Sequence, residues 1–182
     1  MEFGFSRGVL LPTPLSCARK QAPFVIFRQS IASRKDKGKR VAKADQEKTY
    51  EVSADQYFKS VSQYEKYPEH VEGMKSVRVE RNGNQVIAHY DLSMMGKDIK
   101  YSLTITEDPV KKTINWILLK SDFFSVNNGA WSIVPTGAQS CKVHYAVEVE
   151  FNFPVPGFLL KGVVKSTLPT MMNSFFERAK KL

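Results

Sequence analysis

The 182-residue chain is poor in the residues from which small secreted scaffolds and metal sites are built. It has two cysteines, Cys17 and Cys141, and three histidines. Two cysteines cannot form a disulfide framework, and no Cys/His cluster has zinc spacing. Long apolar runs are missing too: none approaches the roughly 18 residues that a membrane-spanning helix needs. The sequence contains no glycine-rich phosphate loop and no Ser or Cys nucleophile signature. Disulfide scaffolds, helical membrane spans, zinc sites and P-loop chemistry are therefore excluded as readings. What is present is ordinary globular composition, 42% apolar and 25% charged. The length suits one domain with a possible appendage.

The formal net charge is +9, and it is unevenly placed. Residues 1–48 hold 11 Lys and Arg against four acids, whereas residues 49–182 hold 16 against 14. The charge thus belongs to a leader, and the body is nearly neutral, so the overall pI is no argument for specific DNA binding. Pro12, Pro14 and Pro23 interrupt the leader's apolar patches, and Arg34–Arg40 carries five basic residues around one acid. Such a segment buries too little apolar surface to offset chain entropy and is expected to stay disordered. It fits a flexible tail or an extension from a misplaced start, a targeting leader, or a basic patch for anionic lipid or RNA. A secretory signal fits poorly, because Glu2 is the first charge and prolines break the short apolar stretch Gly8–Leu15. The expected location is the cytoplasm, at a membrane surface if the leader binds lipid, or an organelle if the leader is a transit peptide.

From Tyr50 the pattern becomes regular. Lys48–Val52 suits a short first strand. Ser53 with Gln56 forms a capping box for a helix over Ala54–Gln63, with Tyr57, Val61 and Tyr64 on one face. Tyr67-Pro68 ends that helix, and Pro68–Val71 suits a further short turn. Period-two alternation then recurs. Val77 and Val79 are followed by the hairpin signal Asn82-Gly83. The set Val86, Ala88, Tyr90, Leu92 and Met94 leads to Gly96. Ile99, Tyr101, Leu103 and Ile105 follow, then the turn Asp108-Pro109 and the set Ile114, Trp116 and Leu118. Asn127-Asn128-Gly129 precedes Trp131 and Ile133, and Pro135-Thr136-Gly137 turns the chain. The last strand alternates Val143, Tyr145, Val147, Val149, Phe151 and Phe153 with polar residues. Successive hairpins with this alternation mean an antiparallel meander, apolar on one face. Leu160, Val164, Leu168, Met171, Met172, Phe175 and Ala179 then recur at helical spacing, with Pro169 expected to kink or restart the helix.

The fold class is therefore α+β: a curved seven-strand antiparallel sheet wrapped around a long C-terminal helix, with two short helices after the first strand. Residues 1–48 form the leader and 49–182 the domain. A curved sheet gripping a helix leaves a space between them. The side chains expected to line it as ligand-binding residues are Tyr90, Tyr101, Leu103, Trp116, Trp131, Tyr145 and Val147 from the sheet. Leu168, Met171, Met172 and Phe175 come from the helix. Plain core packing is the alternative for any one of them. By strand phase Glu80, His89, Asp91, Asp98, His144, Glu148 and Glu150 point outward, and a bulge would be needed to turn His89 and Asp91 inward. His70 reads as a surface residue. Cys141 begins a strand without a partner.

This order of elements resembles the START-like, helix-grip (SRPBCC) superfamily. Within it, the chain is most similar to the polyketide cyclase/dehydrase and lipid-transport group, which includes coenzyme Q-binding START-domain proteins. The resemblance rests on Tyr64-Glu65-Lys66-Tyr67-Pro68-Glu69, on Gly129-Ala130-Trp131, and on the helix from Leu168-Pro169 to Phe175-Phe176-Glu177-Arg178. It spans residues 49–182 and implies a hydrophobic cavity for a lipid-like, isoprenoid or polycyclic ligand. It leaves the activity open, since the superfamily mixes carriers, cyclases and proteins that act on other proteins or ribosomes. The expectation is a non-catalytic binding or transport protein with no cofactor and no metal. The alternatives are a cyclase/dehydrase-type enzyme and a ribosome- or membrane-surface interaction protein.

Overall fold

The computed structural model describes residues 41–94, 96–155 and 168–182. A seven-stranded antiparallel sheet accounts for most of it. Strand β1 (Val41–Tyr50) leads to helix α1 (Ala54–Ser62) and a 3₁₀ helix (Tyr64–Glu69). The meander follows: β2 (Met74–Asn82), β3 (Gln85–Met94), β4 (Lys97–Asp108), β5 (Thr113–Ser121), β6 (Phe124–Gly137) and β7 (Ser140–Phe151). Helix α2 (Leu168–Ala179) comes last. The strand order is β1-β7-β6-β5-β4-β3-β2, so each meander strand pairs with its sequence neighbour and β1 joins the free side of β7. The α+β helix-grip class is the observed one.

The local devices are those that the residues dictate. The Gln56 amide donates to Ser53 Oγ at 3.2 Å, while the Ser53 amide donates to Gln56 Oε1 at 3.3 Å. This reciprocal cap contributes about 1 kcal/mol to the start of α1. Gly83, with φ of 58°, supplies the left-handed residue of the β2–β3 hairpin. Asp108 Oδ1 accepts from the amides of Val110 and Lys111, which turns the chain into β5.

Several boundaries differ from expectation. β1 begins at Val41 and not at Lys48, so residues 41–48 belong to the sheet and not to the leader. Its inward positions are the small Ala42 and Ala44, and its outward positions, Lys43, Asp45 and Glu47, pair with Glu148, His144 and Lys142 of β7. Charge and alanine hid the alternation. Residues 1–40, and with them Cys17, lie outside the described residues. α1 stops at Ser62, and the 3₁₀ helix carries Pro68 inside it. Asn127–Gly129 and Pro135–Gly137 lie within β6, because pairing with β7 holds them extended. Leu160 and Val164 fall outside the described residues. Pro169 sits in the first turn of α2, where a missing N–H breaks no helical bond.

Helix α2 buries Leu168, Met172, Phe175 and Ala179. These meet α1 and the concave face of the sheet in one apolar cluster that includes Tyr50, Tyr57, Val61, Trp131, Ile133 and Val143. A second cluster of Ile99, Phe124, Phe151 and Val155 closes the end of the sheet where β5 turns into β6. No described helix is long and apolar enough to cross a membrane.

Candidate functional site

Between the two clusters the packing is incomplete. A cavity of about 220 Å³ lies under the concave face, bounded by α2 and the 3₁₀ helix. The lining includes Tyr90, Tyr101, Leu103, Trp116, Trp131, Tyr145 and Val147 from the sheet and Leu168, Met171 and Phe175 from α2. Ten of the eleven residues expected at the site are thus brought together. Met172 is not among them. It is fully buried one helical position away, and its backbone carbonyl accepts the Tyr57 hydroxyl at 2.9 Å. Adjacent residues on a helix point about 100° apart, and here Met171 turns to the cavity while Met172 turns into the filled core.

Sequence reasoning missed several lining residues. Tyr64, Tyr67 and Val71 reach the cavity from the 3₁₀ segment, and Asn127 and Phe124 reach it from β6. The Tyr64–Pro68 segment carried a signal in its paired aromatics. Asn127 carried none.

Strands β5 and β6 explain its role. They pair only over Thr113–Trp116 against Gly129–Ser132. Beyond that the ladder ends, and side-chain amides replace it. Asn128 Oδ1 accepts from the Leu118 amide at 3.1 Å, and Asn127 Oδ1 accepts from Trp116 Nε1 at 3.2 Å. Trp116 lies flat over Gly129: a Cβ there would stand 2.1 Å from the ring and 2.5 Å from the Ala146 carbonyl. The ring also stacks on Tyr145 at 5.6 Å, and Tyr145 meets Trp131 at 4.2 Å.

The polar atoms in the cavity wall are few. The Tyr67 hydroxyl donates to the Val61 carbonyl at 2.6 Å. The hydroxyls of Tyr90, Tyr101 and Tyr145 have no hydrogen-bond partner among the described residues, and the Tyr64 hydroxyl is buried without one although the Glu107 carboxylate is close enough to act on it. Burial pushes all five phenols above their ordinary range, and neighbouring phenols, Tyr101 among them, raise those of Tyr67, Tyr90 and Tyr145 further. They are neutral donors at any physiological pH.

The ionisable candidates lie elsewhere. His89 and Asp91 face outward: His89 Nδ1 is 2.8 Å from Ser102 Oγ, and Asp91 pairs with Lys100. His144 pairs with Asp45 at 2.7 Å on the outer face. His70 departs from the surface reading. Its ring is half-buried edge-on against Tyr67 and Phe175, and neither ring nitrogen finds a hydrogen-bond partner. Burial first and the neighbouring Arg178 second lower its pKa. Cys141 is buried outside the cavity, and burial pushes its thiol up to about 11, so it is an unreactive thiol. Among the described residues no group of acids, histidines and cysteines can hold a metal ion.

A curved antiparallel sheet closed over a helix, with an apolar aromatic cavity between, defines a START-like, helix-grip protein. The model of the family described as polyketide cyclase / dehydrase and lipid transport matches residues 50–176, and the chain belongs to that family. Its fold is shared with solved structures of low identity. The aromatase/cyclase Zhui from Streptomyces sp. R1128 is 12% identical with a TM-score of 0.69, over 78% of this chain and 94% of that one. A START superfamily protein from Mycobacterium smegmatis is 23% identical with a TM-score of 0.68, over 77% and 98%. Norcoclaurine synthase from Thalictrum flavum, solved with dopamine and hydroxybenzaldehyde, is 13% identical with a TM-score of 0.59, over 85% and 98%. None of the curated proteins compared matches the chain. The family joins polyketide cyclases and dehydrases with lipid-transport proteins, a grouping that hydrophobic small-molecule ligands unite.

Proposed function

We propose that this protein is a carrier that binds an uncharged hydrophobic small molecule, such as a lipid, a quinone or isoprenoid, or a polycyclic compound, without converting it. One observation carries the reading: among the described residues, no charged side chain lines the cavity. Its polar side-chain atoms belong to tyrosines, Trp116, Trp131 and Asn127. A ligand carboxylate or ammonium would lose its hydration there without a counter-charge. An uncharged ligand with acceptor oxygens would bury apolar area at about 25 cal/mol per Å² and accept from the free phenols. At about 220 Å³ the space is smaller than the ~300–1,000 Å³ of drug-sized pockets. That supports a compact ring system, or the ring-bearing head of a longer molecule. In this proposal the protein works in the cytoplasm or at the surface of an anionic membrane.

The test is to extract the purified protein with organic solvent, identify bound molecules by mass spectrometry, and titrate the stripped protein with quinones, sterols and fatty acids by tryptophan fluorescence. Saturable quenching by a neutral ring compound, with no response to fatty acids, is the expected result. An empty protein that binds none of them would refute the reading. A cyclase-type enzyme is the second reading, favoured by the clustered free hydroxyls of Tyr90, Tyr101 and Tyr145. Turnover of a bound polyketide that is lost in Tyr145→Phe would establish it over the carrier.

A further inference from the structure

The outer face of the sheet carries a second concavity, a groove of about 540 Å³ over β2–β5, whose lining shares Tyr90 and Tyr101 with the cavity on the inner face. Its floor is crossed by one row of directly paired residues. Arg78 is opposite His89, His89 opposite Ser102, and Ser102 opposite Lys120. Paired residues of an antiparallel ladder share a face, so all four side chains stand on the outer surface. Register shifts lie beside the row, at Met74/Ser76 and at Ser102/Leu103. Bulges of this kind bend a sheet locally and re-aim its side chains.

Charge pairing sets this row apart. Elsewhere on the strands each cation has a partner: Lys43 with Glu148, Lys75 with Asp98, Arg81 with Glu107 and Lys142 with Glu47. Lys48 donates to Asn173, and Lys97 lies over Phe153. Arg78 and Lys120 alone among the described strand cations have no acid, amide or ring against them. They sit at the two ends of the row, about 14 Å apart at three inter-strand spacings. Both side chains are long enough to turn toward the middle. There His89 and Ser102 hydrogen-bond each other at 2.8 Å, and His89 Nε2 has no hydrogen bond of its own, although Glu80 Oε1 stands 3.3 Å away. Lys100, loosely paired with Asp91 at 3.6 Å, adds a third cation to the same groove. Asp91 and Asp122 are the acids that line it.

We infer that this groove is a binding site for a soluble phosphate monoester, with Arg78 and Lys120 clamping the phosphoryl oxygens between them and Ser102 and His89 beneath. A guanidinium matches two phosphate oxygens at once, and an ammonium adds a point charge. The site is distinct from the cavity and takes the opposite ligand chemistry, so it does not rest on the carrier reading.

The test uses the full chain and follows ¹H–¹⁵N spectra and calorimetry during titration with inorganic phosphate and with glycerol 3-phosphate. The expected result is saturable binding of both, with shifts confined to β2–β5 and to the His89 ring, and binding at least tenfold weaker in Arg78→Ala/Lys120→Ala. Lys43→Ala, which removes a paired cation from the same sheet, should bind as the unaltered protein does. Ser102→Ala should weaken binding severalfold while leaving the fold intact. The inference is overturned by no saturable binding, by equal binding in the double variant, or by shifts that map elsewhere. Binding to phosphatidic acid vesicles without binding to either soluble phosphate would also overturn it, since the source would then be a lipid surface.

Discussion

Two groups of buried tyrosines sit on the inside of this protein, and they are treated differently. Where α1 meets α2, the phenols are satisfied: Tyr57 donates to the Met172 carbonyl at 2.9 Å and Tyr50 to Asn173 Oδ1 at 3.1 Å. Under the middle of the sheet, the Tyr90, Tyr101 and Tyr145 hydroxyls have no partner among the described residues, though burial shifts their pKa values upward as it does that of Tyr57. Of the wall's phenols only that of Tyr64 is buried without a partner, at a cost of about 1–3 kcal/mol, whereas the Tyr90, Tyr101 and Tyr145 hydroxyls open onto the cavity. The first region spends its phenols on the fold; in the carrier proposal the second keeps its own for an acceptor on the ligand.

That contrast is open to breaking, most strongly through the two tryptophans. Trp131 also lines the cavity, but it packs against Tyr57, Tyr145 and Phe175 and reaches into the satisfied region. Trp131→Ala should cost about 3–5 kcal/mol in denaturant unfolding. Trp116 borders the cavity and already lacks contacts on that side, so Trp116→Ala should cost clearly less. Equal losses would mean that the cavity is not a real discontinuity in the packing.

The tyrosines give a smaller and sharper test. Tyr57→Phe should lose about 1 kcal/mol by deleting a made hydrogen bond. Tyr145→Phe deletes an unmade one and should be neutral or slightly stabilising. For binding of a neutral quinone the order should reverse: Tyr145→Phe weakens it up to about tenfold, and Tyr57→Phe leaves it unchanged. Paired thermal melts and fluorescence titrations would decide this.

A pH effect follows at the border of the two regions. His70 is held neutral against Tyr67 and Phe175, with its pKa lowered from 6.5. The unfolded chain therefore binds this proton at a higher pH than the folded chain does. Stability should be fully present above 6.5 and should fall as pH drops below it toward the depressed folded value. His70→Phe should flatten that part of the melting-temperature profile. The smallest effect expected is from Lys43→Ala on the outer face. Its pair with Glu148 at 3.1 Å is solvent-exposed, and its loss should change stability by less than about 1 kcal/mol.

Most of the architecture was legible in the chain because the signals are local. Alternation in β3, β4 and β7, the glycine at position 83 and the Ser53–Gln56 cap each depend on neighbours a few residues apart. β1 was read seven residues short because Ala42 and Ala44 are weakly apolar and the charges between them resemble the leader. Its strand character comes from pairing with β7, about a hundred residues away. His70 was misread for a related reason: the rings that bury it come from two segments, one of them α2.

The sequence by itself determined which residues face inward, since a strand allows only two faces and a helix one apolar stripe. Tertiary structure alone decided where the inside is filled and where it is open. The rotation of α2 turned Met172 away from the cavity and left Met171 on its wall. The early end of the β5–β6 ladder set Asn127 against Trp116. The register across β2–β5 put Arg78 and Lys120 at the two ends of one row. Each of these depends on contacts between residues far apart in the chain, which periodicity does not encode and packing does.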